Sequence, residues 1–134
     1  MNQGRIKNLI EDYGKALARF EESLEEDLSK GPIVIDGTIQ RFEFCFELGW
    51  KALKAVLEFQ GVEASTPRAV IKEAFRAKLI EEGEGWIDML EDRNKTSHIY
   101  DEAQARRIYN KIKKSHARRL AQLKLSLQKM SLDA

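Results

Sequence analysis

The sequence predicts an all-α protein, an up-and-down four-helix-type bundle with an additional short helix. Apolar residues recur at steps of three and four along three long segments, which is the pattern of helices that bury one face. No segment of convincing length alternates apolar and polar residues, and only two prolines occur in 134 residues. We expect one domain, residues 1–134, with a helical core over about residues 5–128.

The first two helices are predicted from an amphipathic segment over residues 5–28 and a second segment that follows a break. Lys30-Gly31-Pro32 supplies that break, because glycine and proline both disfavour the continuation of a helix. Asp36 and Thr38 are the candidate N-caps of the second helix, since a short side-chain oxygen can accept a hydrogen bond from a free backbone amide. Gly61 supplies the stop.

Two shorter helices and a last long helix complete the prediction. Thr66, followed by a proline, restarts a third helix with a hydroxyl cap and a proline in its first turn. The Glu-Gly-Glu-Gly run at 82–85 interrupts this helix, and a fourth helix is expected over 86–96. Asp101 and Gln104 form a predicted capping box that opens the last helix.

The predicted core is built from the apolar stripes of the long helices. Truncation of Trp50 to alanine is expected to cost about 3–5 kcal/mol if its side chain is fully buried. His116 falls on the stripe of the last helix and is interpreted as a buried or half-buried structural histidine. The residues expected to be mostly buried are Leu17, Phe20, Phe42, Phe46, Trp50, Leu53, Ile108, Ile112, Leu120 and Leu123.

Composition limits the compartment and the class of partner. Cys45 is the single cysteine, so neither an internal disulfide nor a cysteine-based zinc site is expected, and a cytoplasmic location is predicted. No apolar run resembles a signal peptide or approaches a membrane span. Residues 101–134 carry nine Lys/Arg against three Asp/Glu, although the net charge is only +1. This basic helix is either a docking surface for nucleic acid or an acidic partner, or a solvated face.

The segment from Asp92 to Tyr100 combines groups suited to phosphodiester chemistry. Arg93 is a permanent cation whose donors fit phosphate oxygens, and a histidine such as His98 can take or give a proton near neutral pH. Asn94 adds a carboxamide and Tyr100 a phenol. The alternative is structural: the arginine pairs with a neighbouring carboxylate, and the histidine caps a helix end.

The spacing of Arg93 and His98 restricts how they could meet. Positions five apart differ by about 140° of rotation on a regular helix, so the two side chains would not share a face. They can converge if the helix ends near Thr96, if the long arginine wraps round the helix, or if a partner chain completes the site.

Two stretches of the chain resemble a known family. Residues 39–54 contain Phe-Glu-Leu-Gly-Trp-Lys and look like the phenylalanine-rich, Phe-Glu-x-x-Trp-Lys-type helix of the nucleotidyltransferase substrate-binding proteins, a branch of the HEPN superfamily. The Arg-x4-His-x-Tyr pattern at 93–100 resembles the signature of that superfamily. The Thr66 restart and the Trp86 helix lie between them in the family's order, so the resemblance covers about residues 5–128.

The resemblance implies a bundle that forms a homodimer and a separate partner, a small nucleotidyltransferase of the minimal kind. Related HEPN proteins are metal-independent ribonucleases in which Arg and His of two protomers meet. In such toxin–antitoxin pairs the nucleotidyltransferase can silence its partner by adenylylating the motif tyrosine. The resemblance makes Arg93 and His98 the reactive pair, Asn94 and Asp92 their supports, and Tyr100 the acceptor.

Other features favour structural roles, and no metal or cofactor is expected. Glu43, Glu47 and Lys51 have a spacing that could align carboxylates for a metal but serves equally well for surface ion pairs. The chain lacks the Gly-Ser and paired-Asp signature of a nucleotidyltransferase itself. Two functions remain open: an RNA-cleaving subunit silenced by its partner, or a non-catalytic module that binds the nucleotidyltransferase or its substrate nucleotide.

Overall fold

The computed structural model describes residues 3–130, and this part of the chain is helical without a strand. The helices are α1 (Gln3–Leu24), α2 (Ile33–Phe59), α3 (Pro67–Arg76), α4 (Gly83–Lys95), α5 (Glu102–Lys111) and α6 (Ala117–Lys129). Short 3₁₀ helices lie at Leu28–Lys30 and Thr96–His98, and the π-helical segment Ile112–His116 joins α5 to α6. The predicted all-α bundle is confirmed.

The central element is α2, which contacts each of the other five helices. A row of aromatic rings crosses the core from α1 through α2 to α4. The ring centroids of Phe20 and Phe42 lie 6.2 Å apart, those of Phe42 and Phe46 6.5 Å, and those of Phe46 and Trp86 5.9 Å. These separations fall within the range of favourable aromatic contacts, so the phenylalanine-rich helix forms the centre of the core.

The contact between α1, α2 and α6 depends on two small or polar groups. The Tyr13 hydroxyl donates a hydrogen bond to the backbone carbonyl of Leu120 at 2.5 Å. A Cβ at Gly49 would lie 3.0 Å from Tyr13 Cε1, so a glycine there allows the tyrosine ring to pack against α2. Burial raises the pKa of Tyr13, and it raises the pKa of the neighbouring Cys45 thiol to about 12.

The predicted end of α2 and start of α3 are confirmed. Gly61 adopts a φ of +85°, and the amides of Val62 and Gly61 donate to the carbonyls of Leu57 at 2.8 Å and Glu58 at 3.0 Å. This pair of bonds is a Schellman motif, which satisfies carbonyls that a helix end leaves free. Thr66 Oγ1 then accepts a hydrogen bond from the amide of Ala69 at 3.2 Å and caps α3.

Three other predicted boundaries are wrong. The first helix ends at Leu24 rather than at residue 28. The second begins at Ile33, next to Pro32, so neither Asp36 nor Thr38 is its cap. Thr38 lies inside the helix, where its buried hydroxyl donates to the carbonyl of Val34 at 2.7 Å. The fourth helix begins within the acidic glycine run, at residue 83.

Burial confirms most of the predicted core, with Trp50 and Ile108 as the exceptions. Both side chains are only half-buried. The indole nitrogen of Trp50 reaches the surface and donates to Glu47 Oε2 at 3.1 Å. Trp86 is instead the tryptophan with a side chain in the core, and the expected cost of truncation belongs to it. Among the described helices, none is long and apolar enough to cross a bilayer.

Candidate functional site

The candidate site begins where α4 ends. The helix stops at Lys95, and the chain continues as the short 3₁₀ helix that ends at His98. The carbonyl of Arg93 in the last turn accepts both the Thr96 backbone amide and the Thr96 hydroxyl, the latter at 2.6 Å. The helix therefore ends near Thr96, which is one of the three arrangements by which the motif side chains could converge.

Arg93 is held by a carboxylate of the central helix. Its Nη2 donates to Glu47 Oε2 at 3.1 Å, and the side chains of Arg93 and Glu47 are 37% and 32% exposed. The same oxygen accepts the indole N–H of Trp50, and Lys51 Nζ lies 3.4 Å from Oε1. Within residues 3–130, Arg93 Nε is buried without a hydrogen-bond partner. Glu47 thus orients the guanidinium and offsets its charge.

His98 and Tyr100 lie together on the surface. The His98 Nδ1 atom and the Tyr100 hydroxyl are 3.3 Å apart, and Tyr100 is 80% exposed. The capping residues of α5 fix this segment, because Gln104 Oε1 accepts the amide of Tyr100 at 2.9 Å and Asp101 Oδ1 accepts the amide of Gln104 at 2.8 Å. Asp101 caps α5 as predicted, but the capping box is only half formed, because the Gln104 side chain accepts the amide of Tyr100 rather than that of Asp101. These bonds hold the phenol where a large ligand can reach it.

The other motif residues differ in their surroundings. No hydrogen bond or ion pair joins Arg93 to His98 among the described residues, since each has its own partner. Asn94 is exposed, and its backbone carbonyl accepts the Ser97 hydroxyl at 3.4 Å. Asp92 is directed into the core and is 2% exposed, so its side chain faces away from the solvent surface that carries His98 and Tyr100.

Asp92 belongs to a buried polar network with the π-helical segment. His116 Nε2 lies 2.7 Å from Asp92 Oδ2, and Arg119 Nη1 lies 2.9 Å from His116 Nδ1. Arginine only donates, so Nδ1 accepts and Nε2 carries the proton that is donated to Asp92. Burial lowers the pKa of His116 despite the nearby carboxylate, which agrees with this neutral tautomer.

Lys111 and Glu82 complete the network at its two ends. Lys111 Nζ lies 2.9 Å from Asp88 Oδ1 and 3.0 Å from Asp92 Oδ2. The hydrogen bond from Lys111 lowers the pKa of Asp88, and the same bond raises the pKa of Lys111. Burial acts to raise the pKa of Glu82, but hydrogen bonds from two arginines of the last helix outweigh it and lower that pKa.

Asp88, Asp92 and His116 place three ligand atoms within 4.8 Å of one another, as a metal site would. The Lys111 ammonium already lies between the two carboxylates, within hydrogen-bond distance of both. A metal ion would have to displace this lysine and remove the proton on His116 Nε2. The arrangement is therefore that of an ion-pair network that joins α4 to α5.

The sequence indicated the motif but missed Glu47 as a partner of it. The sequence pattern favours Glu47 as one member of a surface ion pair, and its contact with Lys51 agrees with that interpretation. The contact with Arg93 joins residues 46 positions apart, and the spacing within one helix carries no information about such a pair. A half-buried carboxylate beside a motif arginine becomes visible only once α2 and α4 are packed.

The bundle of helices packed on α2, with the Arg-x4-His-x-Tyr segment at the end of α4, is an all-α domain of the kind that the family resemblance implies. The chain belongs to the family described as "Nucleotidyltransferase substrate binding protein like", since the model of that family matches residues 8–129. The proposed resemblance is thereby confirmed at the level of the family.

Individual relatives agree with this assignment. A curated Haemophilus influenzae protein named "Probable ribonuclease HepT" is 34% identical over 84 residues, and the match covers 59% of this chain and 58% of that relative's length. A solved protein from Thermus thermophilus has a TM-score of 0.78 and 36% identity, covering 87% of this chain and 99% of its own. A Haemophilus influenzae structure, described as the fold of a substrate binding domain of a nucleotidyltransferase, has a TM-score of 0.68 and 24% identity, covers 96% of this chain and 100% of its own, and supports the fold alone.

Proposed function

We propose that this protein is the helical partner subunit of a minimal nucleotidyltransferase. In this proposal it is the toxin half of the pair, a metal-independent ribonuclease that the partner silences by adenylylating Tyr100. The family membership supports the kind of partner, and the name of the Haemophilus influenzae relative supports the kind of activity. The observation that carries the proposal is the Tyr100 hydroxyl, which is solvent-exposed and 3.3 Å from the His98 imidazole.

RNA cleavage would proceed by attack of a ribose 2′-hydroxyl on the adjacent phosphorus. His98 takes the 2′-hydroxyl proton, the new 2′-oxygen–phosphorus bond forms, and the bond from phosphorus to the 5′-oxygen breaks. The products are a 2′,3′-cyclic phosphate and a 5′-hydroxyl, because the leaving 5′-oxygen takes a proton from water while His98 returns its own proton to solvent. An arginine stabilises the charge that develops on the phosphoryl oxygens. These groups suffice for the reaction without a metal ion.

Silencing would use Tyr100 as the nucleophile and His98 as its neighbour. The Tyr100 oxygen attacks the α-phosphorus of ATP held by the nucleotidyltransferase, its proton passes to a base, and pyrophosphate leaves. His98 Nδ1 is close enough to the phenol to serve as that base. The product is a tyrosyl phosphodiester that carries AMP, and its bulk and negative charge would exclude an RNA phosphate from His98.

We propose a homodimer because Arg93 and His98 of one chain are bonded to different partners. One exposed face of α2 carries two large apolar side chains, Ile33 at 74% exposure and Phe44 at 61%, and Phe44 lies about one turn before Glu47. Apolar side chains exposed to this extent on a single helix face suit contact with a second copy. A dimer through this face would keep the motif segment of each protomer beside the shared surface.

The alternative function is a non-catalytic module that binds the nucleotidyltransferase or its substrate nucleotide. The ion pair between Arg93 and Glu47 favours it, because an arginine that is neutralised at 3.1 Å is less available to a phosphate. In this alternative the tyrosine and histidine would contact the partner enzyme and carry no chemistry.

The two functions are separated by incubating RNA with the purified protein in EDTA, with and without the nucleotidyltransferase and ATP. We expect cleavage by the wild type, none by His98→Ala, and partial activity in Arg93→Lys, since a point charge cannot reproduce a bidentate contact with phosphate. Tyr100→Phe should cleave RNA and resist silencing. Mass spectrometry should find one adenylyl group on the silenced wild type and none on this variant.

Equal cleavage by the wild type and His98→Ala would identify a contaminating nuclease, and the non-catalytic alternative would then replace the proposal. Circular dichroism of each variant serves as the fold control. His98 and Tyr100 are exposed, so their replacement should leave the helical content unchanged.

A further inference from the structure

The last part of the chain carries a long excess of positive charge. The thirty residues from Ala103 to Leu132 include nine Lys/Arg and no Asp/Glu. Four of the nine lie on the outer surface of α5 and the π-helical segment, and all four are exposed: Arg106, Arg107, Lys113 and Lys114. We call these four residues the basic α5 face.

Three other cations of the same stretch are neutralised within the protein. Lys111 pairs with Asp88 and Asp92, and Arg118 and Arg119 both pair with Glu82. Within residues 3–130, none of the four residues of the basic α5 face forms a side-chain hydrogen bond or an ion pair. The carboxylates of Glu82, Asp88 and Asp92 thus pair with cations of α5 and α6, and the basic α5 face keeps its full charge.

The basic α5 face adjoins the candidate site. α5 begins two residues after Tyr100, and Arg106 and Tyr100 line the same surface cavity of about 230 Å³. Arg106, Asn110 and Lys114 follow one another at intervals of four residues, so they continue along one side of the helix away from Tyr100. Asp36, Asp101 and Glu102 also line this cavity, so a strand that extends from Tyr100 onto the basic α5 face has to pass these carboxylates.

We propose that the basic α5 face binds the sugar–phosphate backbone of single-stranded RNA and leads the strand to His98. The inference rests on the proposed function and adds the surface that holds the substrate. Backbone phosphates are bound by such solvent-exposed Lys and Arg side chains without sequence preference. The exposed residues of 102–116 include no large apolar side chain, whereas protein interfaces depend on buried aromatic or aliphatic anchors. This composition favours RNA over an acidic protein.

The test is the binding of a short fluorescein-labelled 2′-O-methyl RNA, measured by fluorescence anisotropy over a range of KCl concentrations. The methyl group removes the nucleophile that cleavage requires, so the wild-type protein can be used with intact RNA. The variant carries Arg106→Gln, Arg107→Gln, Lys113→Gln and Lys114→Gln. We expect it to bind RNA at least tenfold more weakly at about 50 mM salt, and the slope of log K against log salt to fall by about 3 units if all four contact phosphate.

The matched control removes four exposed cations from α1 and α3 instead: Lys7→Gln, Arg19→Gln, Lys72→Gln and Arg76→Gln. We expect the control to keep most of the wild-type affinity, although both variants lose the same charge. An equal loss of affinity in both would overturn the inference, because net charge alone would then explain binding. Thermal unfolding of both variants checks that neither substitution set disturbs the bundle.

A second outcome would also overturn it. If the basic α5 variant binds RNA like the wild type but no longer co-purifies with the nucleotidyltransferase, the face belongs to an acidic protein partner. The inference and the proposed function fail separately. Loss of RNA binding in the variant supports the face even if the wild type cleaves nothing, whereas cleavage with unchanged binding in the variant supports the activity and rejects the face.

Discussion

The carboxylate of Glu47 connects the phenylalanine-rich helix to the motif helix. One of its oxygens accepts N–H groups from both Arg93 and Trp50, each at 3.1 Å. Truncating Glu47 would leave the guanidinium half-buried without a counter-charge and the indole N–H without its acceptor. The position therefore affects both the packing of α2 against α4 and the orientation of Arg93.

A double-mutant cycle in urea measures this coupling without any assumption about activity. We expect Glu47→Ala and Arg93→Ala each to lower the free energy of unfolding by about 1 kcal/mol, with a coupling energy of about 0.5–1.5 kcal/mol between them. Lys51→Ala is the control, because Lys51 contacts the same carboxylate from a more exposed position. A coupling energy of zero would show that the two side chains do not interact in solution.

His116 makes the stability of the protein depend on pH. Its pKa is lowered from 6.5 in the folded state by burial, so the unfolded chain takes up a proton at a higher pH than the folded chain does. Stability should be complete above about pH 6.5 and decrease as the pH falls towards the lowered folded pKa. The lowered carboxylate pKa values of Asp88 and Glu82 act only at more acidic pH, below about 4.5.

Replacement by glutamine tests this dependence, since an amide both donates and accepts hydrogen bonds but does not titrate in this range. We expect His116→Gln to lose about 1–2 kcal/mol near pH 7.5 and to show little further loss between about pH 7 and 5.5. His98→Gln, the exposed counterpart, should keep the wild-type dependence. The same pH slope in His116→Gln and the wild type would assign the dependence to other groups.

At the residue scale, the sequence indicated which side chains matter but not which side chains they bond to in the fold. The family resemblance makes Asp92 a support of the motif, and the structure directs it to His116, 24 positions away. The interpretation of His116 as a structural histidine is correct because its place in the apolar stripe predicts burial. The residue that shares its proton depends on how α4 packs against the π-helical segment, and no local pattern encodes that contact.

Among the helices, the π-helical segment is the element that the sequence pattern obscured. The last stripe runs through Ile108, Ile112, His116 and Leu120 in three successive steps of four residues. On a regular α-helix each such step drifts by about 40°, which would turn the stripe away from the core. The wider π turn absorbs this drift, because the amide of Ala117 bonds to the carbonyl of Ile112, five residues earlier. The unbroken series of four-residue steps is the sequence feature that could have indicated the π-helical segment.

Lys78, two residues after the end of α3, adopts a backbone conformation that suits glycine better. Its φ is +63°, and the amides of Leu79 and Lys78 donate to Ala74 at 2.9 Å and Phe75 at 3.0 Å, as in the Schellman motif at Gly61. Lys78→Gly should therefore raise the free energy of unfolding by about 0.5–1 kcal/mol, after allowance for the greater freedom of glycine in the unfolded chain. Urea denaturation measures the change. A less stable variant would mean that the exposed lysine side chain contributes more than the strain costs.

At the scale of the whole molecule, helical periodicity was sufficient for the fold class and for most of the core. Apolar stripes define which face of a helix is buried, and α2 is apolar on so wide a face that its central place follows from its composition. Trp50 shows the limit of this argument. Its spacing matches the core, but its indole nitrogen needs an acceptor, and Glu47 supplies one at the surface.

The homodimer is the proposal that most affects the whole molecule. We expect light scattering to give the mass of a dimer at micromolar concentration for the wild type. Phe44→Glu should weaken the dimer at least about 30-fold, since a large interface anchor contributes on the order of 2 kcal/mol or more. Phe75→Glu is the matched control, because Phe75 is the same type of side chain, 51% exposed, on α3 rather than on α2.

A wild-type monomer would contradict the dimer proposal and leave Arg93 and His98 without a partner chain to join them. Dissociation by Phe75→Glu with an intact Phe44→Glu dimer would move the interface to α3. In either case the ribonuclease proposal would need a site completed within one chain or by the nucleotidyltransferase.

The burial of Cys45 has a practical consequence for measuring how often the bundle opens. Its thiol is inaccessible, and a pKa of about 12 leaves almost no thiolate to react at neutral pH. Alkylation of the native protein must therefore wait until α1 separates from α2, so its rate reports the frequency of that opening event. Because the single cysteine is buried and unreactive, no native thiol competes at the surface. A cysteine introduced beside Tyr100 could therefore carry a single fluorophore that follows adenylylation in real time.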